Sequence, residues 1–288
     1  MTLVLPDDRA AAESLERLGV EPADRDATLA ARPDPAILQP MYDEMLDTMG
    51  EPPAWGGWPA NSDRHLYVWL CLAVLPHVRD YHAACGVPDD ISWASLAHLG
   101  EELGTARLIT GISGLDAAWE LPRVFRGTGY RLGRLAFERG RPEPDDTHPL
   151  LRRGECRLNT HVPGDSGPLD AFSVDDALAR AREFFPRHFP EKVGGFSCHS
   201  WLLDDQLAAY LPARSNILAF QRRFGIFNDV ERADWAPIEH VFHRRFDGPD
   251  VPAALLEEVP QETVLQRAIV THLRNGGHWY NRTGWLPF

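Results

Sequence analysis

The chain has one lysine and few cysteines, and each shortage excludes a kind of chemistry. Lys192 is the only lysine among 29 basic residues and lies in a Pro-Glu-Lys turn, so a mechanism that forms a Schiff base on lysine is set aside. The cysteines show no CxxC pair or other metal-ligand spacing: Cys71, Cys85, Cys156 and Cys198. We therefore expect a reduced, cytoplasmic setting and no metal site.

Long apolar runs and an excess of positive charge are also missing. The longest apolar stretch, LYVWLCLAVL from Leu66, is about half of a membrane span and predicts a buried helix. The net charge of −13 over 288 residues argues against a nucleic-acid surface, which needs clustered lysine and arginine. Twelve histidines are present, but no two have the HExxH, HxH or HxxxH spacing of zinc ligands. We expect neither a nucleic acid nor a membrane as partner.

Hydrophobic periodicity divides the chain into two parts. Helical patterns dominate the first part, where a strong helix is predicted over 63–85 and another begins with Ser92 as its cap. The pattern changes near Leu121, after which strands and helices alternate. The sequence therefore predicts a fold of the α/β (α+β) class, with a helical domain over 1–120 and a mixed-sheet domain over 121–288.

The second part contains five predicted strands and three predicted helices. The strands are FRGTGYRLGRLAFER, CRLNTHV, GGFSCHSW, IEHVFHRRF and HWYNRTGWLPF. One helix is predicted to begin at a capping box formed by Ser173 and Asp176. The other two are SNILAFQRRF and ETVLQRAIVTHLRNGG, the latter closed by two glycines.

The loop PGDSGPLD, 163–170, joins the strand CRLNTHV to the helix with the capping box. Free amide groups and the positive end of a helix dipole attract an anion in this geometry. The loop has neither the Walker pattern nor GxGxxG, and an ordinary connection is the alternative. Asp165 and Asp170 would repel a phosphate unless their side chains point away from it.

Three residues are candidates for catalysis. His161 ends the strand on its polar side, where an imidazole could accept a proton from an incoming amine or hydroxyl; a structural histidine is the alternative. Cys198 could meet His161 across adjacent strands, or be a small buried side chain. Asn216 could orient a ligand, although either Ser215 or Asn216 is explained by a helix cap.

Several stretches of the sequence resemble a known family. They are YHAACGVPDDISWASLAHLG, FRGTGYRLGRLAFER, THVPGDSGPLD, AREFFPRHFPE, FSCHSWLLDDQLAAYLPARSNILAFQRRF and LQRAIVTHLRNGGHW. Spread from about Tyr81 to Trp279, they resemble actinobacterial acyltransferase-domain proteins. That family has a helical N-acyltransferase N-terminal domain and a GNAT-like C-terminal domain.

The resemblance implies an acyltransferase that uses acyl-CoA or a carrier-bound acyl-pantetheine and has no tightly bound cofactor. Catalysis would be mainly alignment of a small-molecule amine with the thioester carbonyl. An acyl carrier protein is a further expected partner. The donor would lie along the strand end and loop, near Thr160, Val162, Gly164, Asp165, Ser166, Gly167 and Ser173.

One departure from the family pattern leaves the donor open. The usual pyrophosphate signature, Arg or Gln followed by xxGxG or xxGxA, is missing after CRLNTHV, so the choice between free coenzyme A and a carrier is not settled. Three hypotheses follow. The first is direct acyl transfer to an amine with His161 as the base, and the second adds a covalent step through Cys198. The third is a module that binds an acyl-thioester without turnover.

Overall fold

The computed structural model of the protein begins with helices, as the sequence predicts. It describes residues 2–52, 58, 62–115, 118, 120–164, 166–227 and 229–288. The chain divides into two units. The first comprises Met1–Leu132, Ala136–Arg141 and Glu183–Glu191. The second comprises Gly133–Leu135, Pro142–Arg182 and Lys192–Phe288. Helices of the first unit are α1 (Asp8–Arg17), α2 (Pro22–Ala30), α3 (Pro35–Asp47), α4 (Leu66–Ala84), α5 (Asp89–Leu96), α6 (His98–Thr110) and α7 (Leu121–Phe125).

Helix α4 forms the centre of the first unit. Every residue from Leu66 to Leu75 is buried, because the run is apolar on all sides of the helix. Trp69 is fully buried, and its Nε1 donates to the carbonyl of Thr28 at 3.0 Å. The predicted apolar helix is thus confirmed as a core helix.

Ser92 does not cap a helix, so that prediction is wrong. Helix α5 begins three residues earlier, after Pro88, and its first turn carries the acidic residues Asp89 and Asp90. Acidic residues near a helix N-terminus complement its dipole, which explains the earlier start. The Ser92 hydroxyl instead lies 2.6 Å from Nδ1 of His82 on α4.

The strands lie mainly in the second unit. Strands β1 (Gly129–Leu132) and β2 (Leu135–Arg139) are neighbours. The remaining strands are β3 (Glu155–His161), β4 (Lys192–Ser200), β5 (Gly225–Ile226), β6 (Glu231–Arg232) and β7 (Tyr280–Pro287). β4 pairs in parallel with β3 and antiparallel with β7, and β7 also pairs with β5 and β6. The result is a mixed sheet, and the predicted α/β (α+β) class is confirmed.

Five further helices lie between or after the strands β3 to β6 along the described part of the chain. They are α8 (Ala171–His188), α9 (Asn216–Gln221), α10 (Trp235–Phe242), α11 (Ala253–Glu258) and α12 (Val264–Arg274). Helix α12 confirms the predicted helix at ETVLQRAIVTHLRNGG, and it begins with a capping box of Thr263 and Gln266. The second unit has its own apolar core, in which Trp279 and Ile269 are fully buried.

The prediction of a strand at IEHVFHRRF is wrong. Its first five residues, 238–242, belong to α10 (Trp235–Phe242), which buries Ile238 and Phe242, four positions apart, and the remaining residues form neither helix nor strand. That spacing is the helical one, and the short apolar run was ambiguous between the two periods. His243 ends the helix in a left-handed conformation at φ 52°.

Among the residues that the structure describes, no helix has the length and apolar character needed to span a membrane.

Candidate active site

One side of the second unit's sheet carries polar side chains from three strands. Asn159 on β3 pairs with Ser197 on β4, which pairs with Trp285 on β7, and His199 pairs with Thr283. Directly paired residues point to the same side of a sheet. We call this surface the polar face and define it by Arg157, Asn159, His161, Ser197, His199, Thr283 and Trp285.

Hydrogen bonds fix the first row of the polar face. The Ser197 hydroxyl donates to Oδ1 of Asn159 at 2.8 Å, and Nε of Arg157 donates to the same oxygen at 3.1 Å. A methyl group at Gly195 would overlap the ring of Trp285, so glycine lets the indole lie against the β4 backbone. The hydrogen-bonded side chains of Asn159 and Ser197 and the aromatic ring of Trp285 therefore lie side by side on the polar face.

His199 is a titratable group on the polar face with hydrogen-bond partners at both ring nitrogens. Its Nδ1 lies 2.9 Å from Oγ1 of Thr283, and its Nε2 lies 2.9 Å from Oε2 of Glu231. The side chains of His199 and Glu231 are 47% and 62% exposed, so a ligand can reach both. The hydrogen bond from His199 lowers the pKa of Glu231 below its ordinary value of 4.5, with a smaller contribution from Asn281. The site thus holds an imidazole next to an ionised carboxylate.

Cys198 lies on the opposite side of the sheet from the polar face. It follows Ser197 directly, and successive side chains of a strand alternate between faces. The thiol is buried, and this desolvation raises the pKa of Cys198 to about 12. His161 shares the side of Asn159, two residues away on β3, so the predicted meeting of Cys198 with His161 is wrong.

His161 is half-buried at the end of β3, directly before the loop. The parallel pairing of β3 with β4, as it stands among the described residues, ends at Asn159 and Ser197. The last two residues of β3 therefore extend beyond its pairing with β4. This places His161 on the polar face where the β3–β4 ladder stops.

Loop 163–170 is tied down at both ends. Arg134 Nη1 donates to the carbonyl of Pro163 at 2.8 Å, and Nε of the same side chain donates to that of Pro168 at 3.2 Å. Gly167 has φ +76°, a conformation that favours glycine. Gly164 and Gly167 are exposed, and Val162 and Ser166 are half-buried. Asp165 lies outside the described residues.

The start of α8 is already capped by a carboxylate. Asp170 Oδ1 accepts a hydrogen bond from the Ser173 amide at 3.0 Å, and Oδ2 accepts one from the Ser173 hydroxyl at 2.8 Å. The predicted cap at Ser173 is therefore wrong: Asp170 is the cap, and an aspartate accepts these bonds as an ionised acceptor. Hydrogen bonds from Ser173 lower the pKa of Asp170. The amide at the third helical position is not free for a phosphate.

Two other predicted residues lie away from the polar face. Thr160 points to the opposite side of β3, where its Oγ1 is buried and has no hydrogen-bond partner among the described residues. Asn216 is the first residue of α9. Ser215 is in the N-cap position, but its side chain makes no cap hydrogen bond among the described residues. It lines an open cavity of about 430 Å³ together with Leu211, Pro212, Arg214, Ser215, Ile217, Val264 and Leu265. The structure does not bring Asn216 to His161.

Sequence reasoning missed four residues of this region: Arg134, His199, Glu231 and Thr283. The alternation of GGFSCHSW put His199 on the side of Ser197, which was the available signal. Glu231 lies in a two-residue strand, too short to show any period. Arg134 is one of many arginines, and nothing in its local sequence distinguishes it.

Comparisons with known proteins identify the family of both parts of the chain. Residues 130–286 match the family described as GNAT-like C-terminal domain, and residues 9–127 match the N-acyltransferase N-terminal domain. Comparison with the curated proteins gives no match.

Solved structures of acyltransferases are similar over nearly the whole chain. One, in complex with decanoyl-CoA, is 34% identical, with a TM-score of 0.87. A second, in complex with decanoyl-CoA and teicoplanin, is 34% identical, with a TM-score of 0.86. A third, a mutant in complex with octanoyl-CoA, is 33% identical, with a TM-score of 0.87. Each match covers 99% of this chain and 90% of the other.

The family matches and the similar solved structures define an acyltransferase of the GNAT-like class. The chain belongs to the family that joins an N-acyltransferase N-terminal domain to a GNAT-like C-terminal domain. The resemblance predicted from the sequence is confirmed. Membership of an enzyme family also favours catalysis over a module that only binds a thioester.

Proposed function

We propose that the protein transfers an acyl group from acyl-CoA to an amine, and that the amine attacks the thioester carbonyl directly at the polar face. The observation that carries the proposal is the pairing of His199 with Glu231 on an exposed sheet surface. A neutral amine is the nucleophile in such a reaction, and a positioned base removes its proton as the bond forms.

The donor is proposed to lie along the end of β3 and loop 163–170. Strand residues beyond a ladder offer backbone groups to an extended ligand, and β3 continues past its last pair with β4. The crystallised relatives hold octanoyl-CoA or decanoyl-CoA, which makes coenzyme A thioesters the first donors to test. A carrier-bound pantetheine is the alternative, because the capped start of α8 offers little to a diphosphate.

His199 is the proposed base. Glu231 can orient the imidazole and stabilise the imidazolium that forms when it accepts a proton. Nδ1 is the side of the ring that an amine would approach, in place of Thr283 Oγ1, whose own hydroxyl donates to Asp229. His161, the base predicted from the sequence, shares the polar face and remains the second candidate.

A covalent step through Cys198 is not part of the proposal. With its pKa raised to about 12, roughly 10⁻⁵ to 10⁻⁴ of the thiol is ionised near pH 7.5, and the thiolate is the nucleophilic form. The side chain is also buried on the other side of the sheet from the proposed site. Direct attack by the amine needs neither an ionised nor an accessible Cys198 thiol.

The acceptor is proposed to be an amine on a small molecule. One crystallised relative holds teicoplanin beside decanoyl-CoA, so that compound is the first acceptor to test. Trp285 supplies an apolar surface at the polar face against which a large acceptor could pack.

The test is release of free thiol from acetyl-, octanoyl- and decanoyl-CoA in the presence of teicoplanin and a panel of amines. We expect His199→Ala to lower kcat by about 10²- to 10⁴-fold, the usual contribution of a positioned base. His240→Ala on α10 is the matched control and should leave kcat unchanged. If His161→Ala removes turnover and His199→Ala does not, the base assignment moves to His161. A carrier-bound thioester as the sole active donor would overturn the coenzyme A assignment.

A further inference from the structure

Arg134 is a buried cation that the proposed chemistry does not use. It follows Gly133 between β1 and β2, and the residue is only 8% exposed. A guanidinium buried to this degree must donate its hydrogen bonds within the protein. Two of them reach the carbonyls of Pro163 and Pro168.

These two carbonyls bracket the exposed part of loop 163–170. Five residues of extended chain could span about 17 Å, yet here both ends lie within hydrogen-bond reach of one guanidinium. The glycines within the loop add backbone freedom, and Gly167 has φ +76°. Without the bridge, the residues between the two prolines would have to be ordered at each binding event.

We propose that Arg134 is a positioning residue of the acyl-donor site, which holds loop 163–170 in the shape that receives the thioester. The inference rests on the proposed function, which places the donor at this loop. It explains how the loop could receive a donor although Asp170 accepts the hydrogen bond of the Ser173 amide at the start of α8. The donor then meets a preformed loop instead of a helix N-terminus.

Arg223 offers a matched control. It binds the other side of the start of α8, where Nη2 donates to the Ala171 carbonyl at 3.2 Å and to Asp175 Oδ1 at 2.8 Å. Its Nη1 donates to the Ala219 carbonyl at 2.7 Å. It therefore supports α8 and α9, and the hydrogen bonds that we describe for it do not involve the two proline carbonyls.

The experiment compares Arg134→Lys, Arg134→Gln and Arg223→Gln in the full chain. Hydrogen exchange of the donor-free enzyme measures the order of the loop at Ser166, Gly167 and Leu169. Steady-state kinetics measure kcat, the KM for decanoyl-CoA and the KM for the acceptor. Thermal unfolding checks that each variant is folded.

We expect both Arg134 variants to exchange faster at the loop and to raise the KM for decanoyl-CoA about tenfold, because ordering the loop now costs affinity. Their kcat and acceptor KM should change less than twofold. Lysine keeps the charge but lacks the planar group that spans two carbonyls, so Arg134→Lys should raise the exchange rate and the KM for decanoyl-CoA as Arg134→Gln does. Arg223→Gln should leave the KM for decanoyl-CoA unchanged.

The outcomes separate the two proposals. Faster exchange with an unchanged KM would show that Arg134 orders the loop but that the donor binds elsewhere, which overturns the proposed donor site. Exchange at the wild-type rate in the Arg134 variants, whatever their KM for decanoyl-CoA, would overturn the positioning role of Arg134. If the glutamine variant does not fold, the lysine variant carries the test alone.

Discussion

Protonation of His82 should destabilise the protein as the pH falls below neutrality. The side chain is fully buried on α4, and its Nδ1 is bound to the Ser92 hydroxyl. Its Nε2 is buried and lacks a hydrogen-bond partner within the described part of the chain. Desolvation, with a smaller contribution from the positive charge of Arg79, lowers the pKa of His82 from 6.5 to about 4. The folded protein therefore holds this ring neutral.

The size and direction of the effect follow from the two pKa values. Between pH 6.5 and pH 4 the unfolded chain binds a proton at His82 and the folded chain does not, so the free energy of unfolding falls as the pH falls. The loss begins near pH 6.5, reaches about 2 kcal/mol at pH 5 and approaches about 3 kcal/mol below pH 4, because one pKa unit corresponds to roughly 1.4 kcal/mol.

Urea unfolding at pH 7.5, 6 and 5, followed by tryptophan fluorescence, measures this in the wild-type protein and in His82→Gln. Glutamine keeps a donor and an acceptor but does not titrate, so other ionisable groups cancel in the difference between the two proteins. The stability of the wild type relative to His82→Gln should fall by about 2 kcal/mol between pH 7.5 and pH 5. A difference that stays constant over this range would refute the account of His82.

Three further predictions concern the second unit. Cys198→Ser should keep kcat within about twofold and give no acyl adduct by intact mass, since the thiol is buried away from the polar face; loss of turnover with an adduct only in the wild type would restore the covalent route. Glu231→Gln should lower kcat about tenfold to a hundredfold while keeping the acid limb of the rate profile, because that limb reports on the imidazole; an acid limb that disappears would assign it to Glu231. Gly167→Ala should cost about 1 kcal/mol of stability at φ +76°, read from the urea midpoint, and no change would argue against the left-handed conformation.

Strong local signals made much of the fold predictable from sequence. A long apolar run indicates helix α4. The periodicity of α12 and the two glycines after it indicate that helix, and its first residues follow a capping box. IEHVFHRRF is short and apolar at positions that suit either period, and only packing decides that its first five residues are helical. The proposed boundary between the two domains at residue 120 stays a prediction, as does an actinobacterial source.

The site was less predictable because it depends on which strands pair and in which register. The sequence placed His161 and the loop correctly next to each other, since they are consecutive. It could not show that Cys198 faces away from His161, because that follows from the pairing of Asn159 with Ser197. Glu231 meets His199 across 32 residues of chain, a contact that no local pattern contains.

The product of a single reaction tests the central claim most directly. Wild-type enzyme, His199→Ala and Cys198→Ser are incubated with decanoyl-CoA and teicoplanin, and both the small molecules and the enzyme are analysed by mass spectrometry. Direct transfer predicts a decanoyl group in amide linkage on the acceptor, formed by the wild type and by Cys198→Ser but strongly reduced in His199→Ala, with unmodified enzyme throughout. An acyl group on the enzyme, an ester product, or full activity of His199→Ala would contradict it.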